Sequence, residues 1–157
     1  DGDSALVLRG GTLTYGDLRE RIARLSGWLR HCLPTPGARV ASWAAKGEMT
    51  CLLPLAAARA GLVHVPVNPL LKRAQVAHIL ADSGAQLLLG TKARLDSLEP
   101  GDIPAGCKLV EDSEALALAA DHPEPLAPSQ DDPADLAAIL YTSGSTGRPS
   151  MPCIKDS

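Results

Sequence analysis

Residues 141–149 read Tyr-Thr-Ser-Gly-Ser-Thr-Gly-Arg-Pro, four aliphatic hydroxyls and two glycines packed beside one guanidinium. Gly144 and Gly147 permit positive φ and carry no Cβ, so backbone N–H groups there can turn toward an anion. Thr142, Ser143, Ser145 and Thr146 add hydroxyl donors that need no deprotonation to work. Arg148 adds charge-assisted contacts. Together these are the parts needed to hold a polyphosphate. The plain alternative is a flexible Ser/Gly-rich linker. Two features argue against it: the apolar run Leu-Ala-Ala-Ile-Leu at 136–140, short enough for a buried strand, and the Arg-Pro stop. A Walker A loop is excluded, because no Gly-Lys-Ser/Thr follows four residues after a glycine.

Other chemistry is weaker. His31, His64, His78 and His122 form no His-x₃-His or Glu-x-x-His grouping, which argues against a zinc site. His78, between Ala77 and Ile79, reads as a helix-surface or packing residue. Glu111, Asp112 and Glu114 read as a solvated turn rather than a paired-carboxylate centre. Ser143 lacks the Gly-x-Ser-x-Gly elbow of a hydrolase nucleophile. Cys32, Cys51, Cys107 and Cys153 are far apart and contain no Cys-x-x-Cys pair, against both structural zinc and a disulfide framework. Three of them sit among apolar neighbours, where a reduced thiol acts as a small hydrophobe.

The elements that position the loop follow from periodicity. Residues 5–9 and 12–14 read as short strands around Gly10-Gly11, a hairpin turn. Thr14 and Asp17 form a capping-box pattern, with Leu13 and Leu18 placed as a staple. Leu18, Ile22, Leu25, Leu29 and Cys32 then share one helical face. Asp17–Arg21 and Glu20–Arg24 are i,i+4 pairs on the other side, and Pro34 and Pro36 end the helix. Residues 38–45 are a strand, 47–60 a helix rich in small apolar residues with Gly61 as its terminal cap, and 62–67 another strand. Asn68-Pro69 reads as a helix entry. Residues 72–83 form a helix with Val76, Ile79 and Leu80 inward, closed by Gly84, and 85–89 a strand. Residues 91–98 suggest a short helix and 108–111 a short strand. Residues 121–135, rich in Pro and Asp, read as an exposed connection. Strands alternating with helices predict a mostly parallel sheet with helices on its faces. No repeat of fixed period is found.

The 157 residues amount to about one domain, 45% hydrophobic and 21% charged, without any Phe. A net charge of −3 with scattered bases gives no reason to expect nucleic acid or an anionic membrane as partner. The apolar stretch 49–60 is short for a bilayer and contains Pro54 and Arg59. No basic-then-apolar leader opens the chain. A cytoplasmic location is the default expectation.

At 141–149 the chain resembles the AMP-forming adenylating enzymes, the family of acyl-CoA synthetases, peptide-synthetase adenylation domains and luciferases. Their phosphate loop reads [Tyr/Phe]-Thr-Ser-Gly-[Ser/Thr]-Thr-Gly-x-Pro-Lys, and the chain fits it through Pro149. The stretch Leu13-Thr14-Tyr15-Gly16-Asp17-Leu18 resembles the family's first core motif, and 58–69 a second, Lys-Ala-Gly-x-x-Tyr-Val-Pro-Ile-Asp-Pro, with Arg59, His64 and Asn68 substituted. Asp82-Ser83-Gly84-Ala85 is similar to a family turn. The match stops at Ser150, where the family has a lysine. Lys155 comes five residues too late to replace it, and Pro152 disfavours a helix in the tail.

The resemblance implies the amino-terminal α/β subdomain of the adenylate-forming fold. It divides as residues 1–120, the connection 121–135, a strand with phosphate loop at 136–150, and a tail at 151–157 outside the family pattern. It implies an ATP-dependent ligase that activates a carboxylic acid as acyl-adenylate and passes it to a thiol, coenzyme A or a pantetheine carrier, with Mg²⁺. Thr142, Ser143, Gly144, Ser145, Thr146 and Gly147 would bind the nucleotide phosphates. The adenine pocket, the Mg²⁺-binding Glu and the adenylation lysine of the family all fall beyond residue 157. The chain is therefore expected to lack catalytic residues, to be inactive without the remainder of such an enzyme, and to self-associate through uncovered faces on 47–60 and 136–140. The other readings are a non-catalytic nucleotide-binding or scaffold module and, less suited to the residues, a simple NTP hydrolase.

Overall fold

A computed structural model describes residues 2–129, 132, 134–143, 149–150 and 153–154, with the side chains of 143, 149, 150, 153 and 154 left out. The chain opens with a hairpin of β1 (Ser4–Leu8) and β2 (Gly11–Thr14), paired antiparallel with Leu8 opposite Gly11. Thr14 then caps α1 (Tyr15–Cys32) as expected. The Asp17 amide donates to Thr14 Oγ1 at 3.1 Å, and Asp17 Oδ2 accepts from the Thr14 amide at 2.9 Å. The Thr14 hydroxyl, which donates to Asp17 Oδ2 at 2.7 Å, and then the Thr14 amide hold the Asp17 carboxyl below its ordinary range. Leu25, Trp28 and Leu29 of α1 are buried, and Leu18, Ile22 and Cys32 pack beside them.

Five parallel strands form the body of the main sheet: β3 (Arg39–Trp43), β4 (Val63–Pro66), β5 (Ala85–Gly90), β6 (Lys108–Glu111) and β7 (Ala138–Ile139). The order is β7-β4-β3-β5-β6, and an antiparallel strand β10 (Cys153–Ile154) closes the β7 edge. Parallel neighbours need crossovers. Helix α2 (Glu48–Arg59) joins β3 to β4, and α3 (Arg73–Ser83) joins β4 to β5. A short helix α4 (Lys92–Asp96) and a 3₁₀ turn at Pro100–Asp102 link β5 to β6, and α5 (Asp112–Ala120) follows β6.

Side chains alternate across the pleat. Val40, Leu87 and Leu89 point toward α1, α2 and α5. Ala41, Trp43, Val65 and Leu88 point toward α3. The sheet is thereby buried on both faces, which explains its near-continuous apolar strands. Gly84 ends α3 in the left-handed region, at φ 66°, where a residue with a Cβ is strained.

Several expectations change. Asn68-Pro69 does not begin a helix. Asn68 Oδ1 accepts from the Leu70 amide at 2.9 Å, a local turn, and α3 starts at Arg73, with Gln75 capping the Lys72 amide at 3.0 Å. The acidic cluster at 111–114 is not a loose turn but the entry to α5, where Asp112 and Glu114 complement the positive helix end. Glu20 pairs with Arg24 at 3.0 Å as expected, but Arg21 turns to Glu48. Asp17 is already engaged by Thr14, while Glu48 presents its carboxylate from the first turn of α2.

The connection after α5 is mostly exposed, yet its first part is moored across α1. The Leu126 amide donates to Ala23 O at 2.9 Å, and Arg24 Nη1 donates to His122 O at 3.2 Å. Glu124 O passes so close to Gly27 that a Cβ there would lie 2.1 Å away. Residues 130, 131 and 133 of this connection lie outside the described residues.

The uncovered apolar face expected on 47–60 is present as an outward strip of α2, Cys51, Pro54, Leu55 and Ala58, all exposed, whereas the one expected on 136–140 is not found. Met49, Leu52, Leu53, Ala56 and Ala57 form the inward face of α2 and are buried, and Leu55, 53% exposed, is the largest side chain of the outward strip. Ile139 is only 3% exposed, and Leu136 packs partly buried on the α3 side.

Candidate functional site

The predicted phosphate loop leaves the sheet from β7. That strand is set by β4: His64 stands opposite Ala138, and the His64 amide donates to Ala137 O at 2.9 Å. Past β7, the Tyr141 hydroxyl donates to Asp82 Oδ2 at 2.7 Å, tying the root of the loop to the end of α3. Burial pushes the Tyr141 phenol well above its ordinary value, and the Asp82 carboxylate pushes it further, so it stays a neutral donor across the physiological range.

Beyond Tyr141 the chain folds back on itself. Strand β8 (Thr142–Ser143) pairs antiparallel with β9 (Pro149–Ser150), Thr142 opposite Ser150 and Ser143 opposite Pro149. The first two predicted site residues thus stand at one mouth of a hairpin whose other mouth is the Pro-Ser end of the motif. Thr142 is exposed. Gly144, Ser145, Thr146, Gly147 and Arg148 lie outside the described residues, as do Met151, Pro152 and the end of the tail from Lys155. Cys153 and Ile154 of the tail pair with Ile139 and Ala138.

Two supporting contacts were not foreseen from sequence, Ser42 with His64 and Tyr141 with Asp82. Ser42 on β3 and His64 on β4 are both 5% exposed, with Ser42 Oγ 2.8 Å from His64 Nε2. Desolvation lowers the His64 pKa to about 4, so the imidazole is neutral at pH 7. The pair therefore sits in the sheet as a neutral hydrogen bond, on the strand whose amide positions β7. A polar residue in each of two otherwise apolar strands is the available signal. Asp82 is the other omission, and its signal is an acid in the last turn of a helix, where the dipole disfavours it.

Among the described residues no three His, Cys, Asp or Glu side chains cluster to hold a metal. Cys32 and Cys107 are half-buried with thiols pushed up by desolvation, Cys107 to about 11. Cys51 is exposed, on the outward face of α2, and the side chain of Cys153 lies outside the described residues. Among the described residues no helix is long and apolar enough to cross a membrane.

Known proteins share this arrangement. The chain is 38% identical over 144 residues to a feruloyl-CoA synthase of Amycolatopsis, a match covering 91% of the chain and 28% of that enzyme. It is 36% identical over 150 residues to the L-proline–[L-prolyl-carrier protein] ligase of Pseudomonas fluorescens, covering 93% of the chain and 30% of the ligase. The ATP-bound structure of MatB from Rhodopseudomonas palustris superposes with a TM-score of 0.87 at 25% identity, over 99% of this chain and 32% of MatB. The chain thus spans about a third or less of the relatives it matches. A family model described as AMP-binding enzyme matches residues 2–151, nearly the whole chain. By its sequence, its mostly parallel sheet and the motif that leaves β7, the chain belongs to the AMP-binding enzyme family.

Proposed function

We propose that this chain supplies the amino-terminal part of a ligase that joins a carboxylic acid to AMP and then passes the acyl group to a thiol. Coenzyme A and a pantetheine carrier are the two acceptors that its relatives' names suggest, one a CoA synthase and one a carrier-protein ligase. In the first step a carboxylate oxygen attacks the α-phosphorus of ATP, and pyrophosphate leaves. Two anions must approach, so fixed donors have to absorb the charge that collects on the leaving group.

Thr142, Ser143, Gly144, Ser145, Thr146 and Gly147 are assigned that role, as donors to the β- and γ-phosphates. The observation that carries it is the pinned hairpin: Thr142 and Ser143 are held by β9, and Tyr141 is held by Asp82. A loop fixed at both ends spends less entropy on gripping a phosphate. Mg²⁺ enters as the ATP complex and is assigned no ligand within this chain. The adenine, acyl and thiol contacts are assigned to the two thirds of the relatives that the chain does not span. A cytoplasmic setting suits a user of ATP and thiol carriers.

The test is a chimera. Residues 1–149 replace the matching segment of the Amycolatopsis feruloyl-CoA synthase, and acid-dependent exchange of pyrophosphate into ATP is measured. The chimera is expected to exchange, the isolated 157-residue chain not to, and Gly144→Ala with Gly147→Ala to cut the chimera's rate by about a hundredfold or more. A folded chimera without exchange, or exchange indifferent to both glycines, contradicts the assignment.

A further inference from the structure

Helices α1 and α5 end beside one another, and each brings a histidine to that place. His31 is exposed in the last turn of α1, and His122 is half-buried just past the end of α5. Their ring centroids are 5.8 Å apart, with the planes tilted by 49°. Among the described residues neither imidazole makes a hydrogen bond or an ion pair. The spacing of histidines along the sequence gave no sign of this pair, because the two lie far apart in the chain.

The backbone of the connection after α5 imposes the approach. The Leu126 amide donates to Ala23 O at 2.9 Å, and Arg24 Nη1 donates to His122 O at 3.2 Å. Gly27, one turn before His31, provides the notch: a Cβ there would lie 2.1 Å from Glu124 O and 3.0 Å from His122 Cδ2. His122 is thus held against α1 through its main chain, and its ring nitrogens are left unengaged.

A metal ion about 2.1 Å from each of two imidazole nitrogens sets the ring centroids roughly 5–6 Å apart at tetrahedral or wider angles. The carbonyl ends of two helices favour a cation where they meet. Asp121 and Glu124, both exposed on the connection, set carboxylates against the charges of Arg24 and Arg30 on α1. Imidazole pairs suit Zn²⁺, Ni²⁺ and Cu²⁺, whereas Mg²⁺ and Ca²⁺ require oxygen ligands. Among the described residues no third His, Cys, Asp or Glu joins the pair, so water has to complete the coordination. We propose that His31 and His122 form a two-imidazole clip for a divalent late-transition-metal ion, which fastens the connection after α5 to α1. The site is separate from the phosphate loop and does not depend on the reading given to that loop.

Isothermal titration calorimetry of the 157-residue chain with Ni²⁺, an ion that does not oxidise free thiols, tests it. One saturable site is expected, weakened at least about tenfold by His31→Ala and by His122→Ala, and unchanged by His78→Ala on α3. Gly27→Ala keeps both imidazoles but displaces the connection, and is expected to weaken Ni²⁺ binding to a similar degree. Alanine favours the helix itself, and circular-dichroism melting verifies that each variant is folded. Bound Ni²⁺ is expected to slow amide hydrogen exchange at Leu126 and to leave β5 unchanged. Absence of saturable uptake by the folded wild-type chain would reduce the pair to an aromatic contact and overturn the proposal. Uptake indifferent to His31→Ala or to His122→Ala overturns it as well. So does binding that Gly27→Ala leaves intact and that leaves exchange at Leu126 unaltered.

Discussion

Strand β5 places Leu87, Leu88 and Leu89 in succession where none is more than 1% exposed, whereas Thr142 of the β8–β9 hairpin faces solvent. The first region is held by apolar contact on both faces of a sheet, each fully buried leucine contributing about 1.5–3 kcal/mol. The second is held by two register pairs and by one hydroxyl–carboxylate bond from Tyr141 to Asp82. Such bonds contribute about 1 kcal/mol net apiece. The body of the sheet thus keeps its shape without a ligand, while the loop gets its position from the body and little stability from itself. Substitutions in the two regions are therefore expected to separate stability from nucleotide binding.

The largest separation is expected at Leu88. Leu88→Ala opens a cavity in a fully buried strand and is expected to cost about 2–5 kcal/mol in denaturant unfolding. The ATP affinity of the molecules that remain folded should be unaltered. A Leu88→Ala protein with native stability would break the contrast at its stable end.

The next effect is on pH. His64 has a folded pKa of about 4 against an ordinary 6.5, so between these values the unfolded chain takes up a proton that the folded chain does not. Stability is expected to be full above about pH 7, to fall as pH drops from 6.5 toward 4, and to lose about 3 kcal/mol in all. Comparing urea midpoints with those of His64→Gln isolates this part. If the wild type and His64→Gln lose stability in parallel over that window, the buried neutral imidazole is not its source.

The smallest effect on stability and the sharpest on position is expected at Tyr141. Tyr141→Phe removes the bond to Asp82 and is expected to cost about 1 kcal/mol or less, because Asp82 is exposed and re-solvates. Its signature is amide hydrogen exchange: faster at Thr142 and Ser143, unchanged in β5. Uniform acceleration across the chain would mean that Tyr141 supports the whole fold rather than the loop.

Much of the body was legible in the sequence because its signals are local. The Thr14–Asp17 box, the spacing of Leu25 and Leu29 on α1, the glycine that ends α3 and the apolar runs of β3, β4 and β5 all lie within a few residues of what they determine. Misreadings arose where one residue type serves two local structures. Asn68 offers its side chain to a turn as readily as to a helix cap, and Asp112 with Glu114 suits a solvated turn as well as a helix start. Contacts across long separations left no local trace. The mooring of Leu126 on Ala23, the Arg21–Glu48 pair and the Tyr141–Asp82 bond, which spans 59 residues, each needed the fold to bring its partners together. The loop motif itself was legible by resemblance at 141–149, while its anchor on α3 was not.

Binding of ATP by this chain, compared with its Gly144→Ala, Gly147→Ala double variant, measures the central claim most directly. The wild type is expected to bind saturably and the variant to bind at least about tenfold more weakly, with equal melting temperatures for the two apo proteins. Equal ATP affinity in two equally folded proteins would contradict the assignment of residues 142–147 to the nucleotide phosphates.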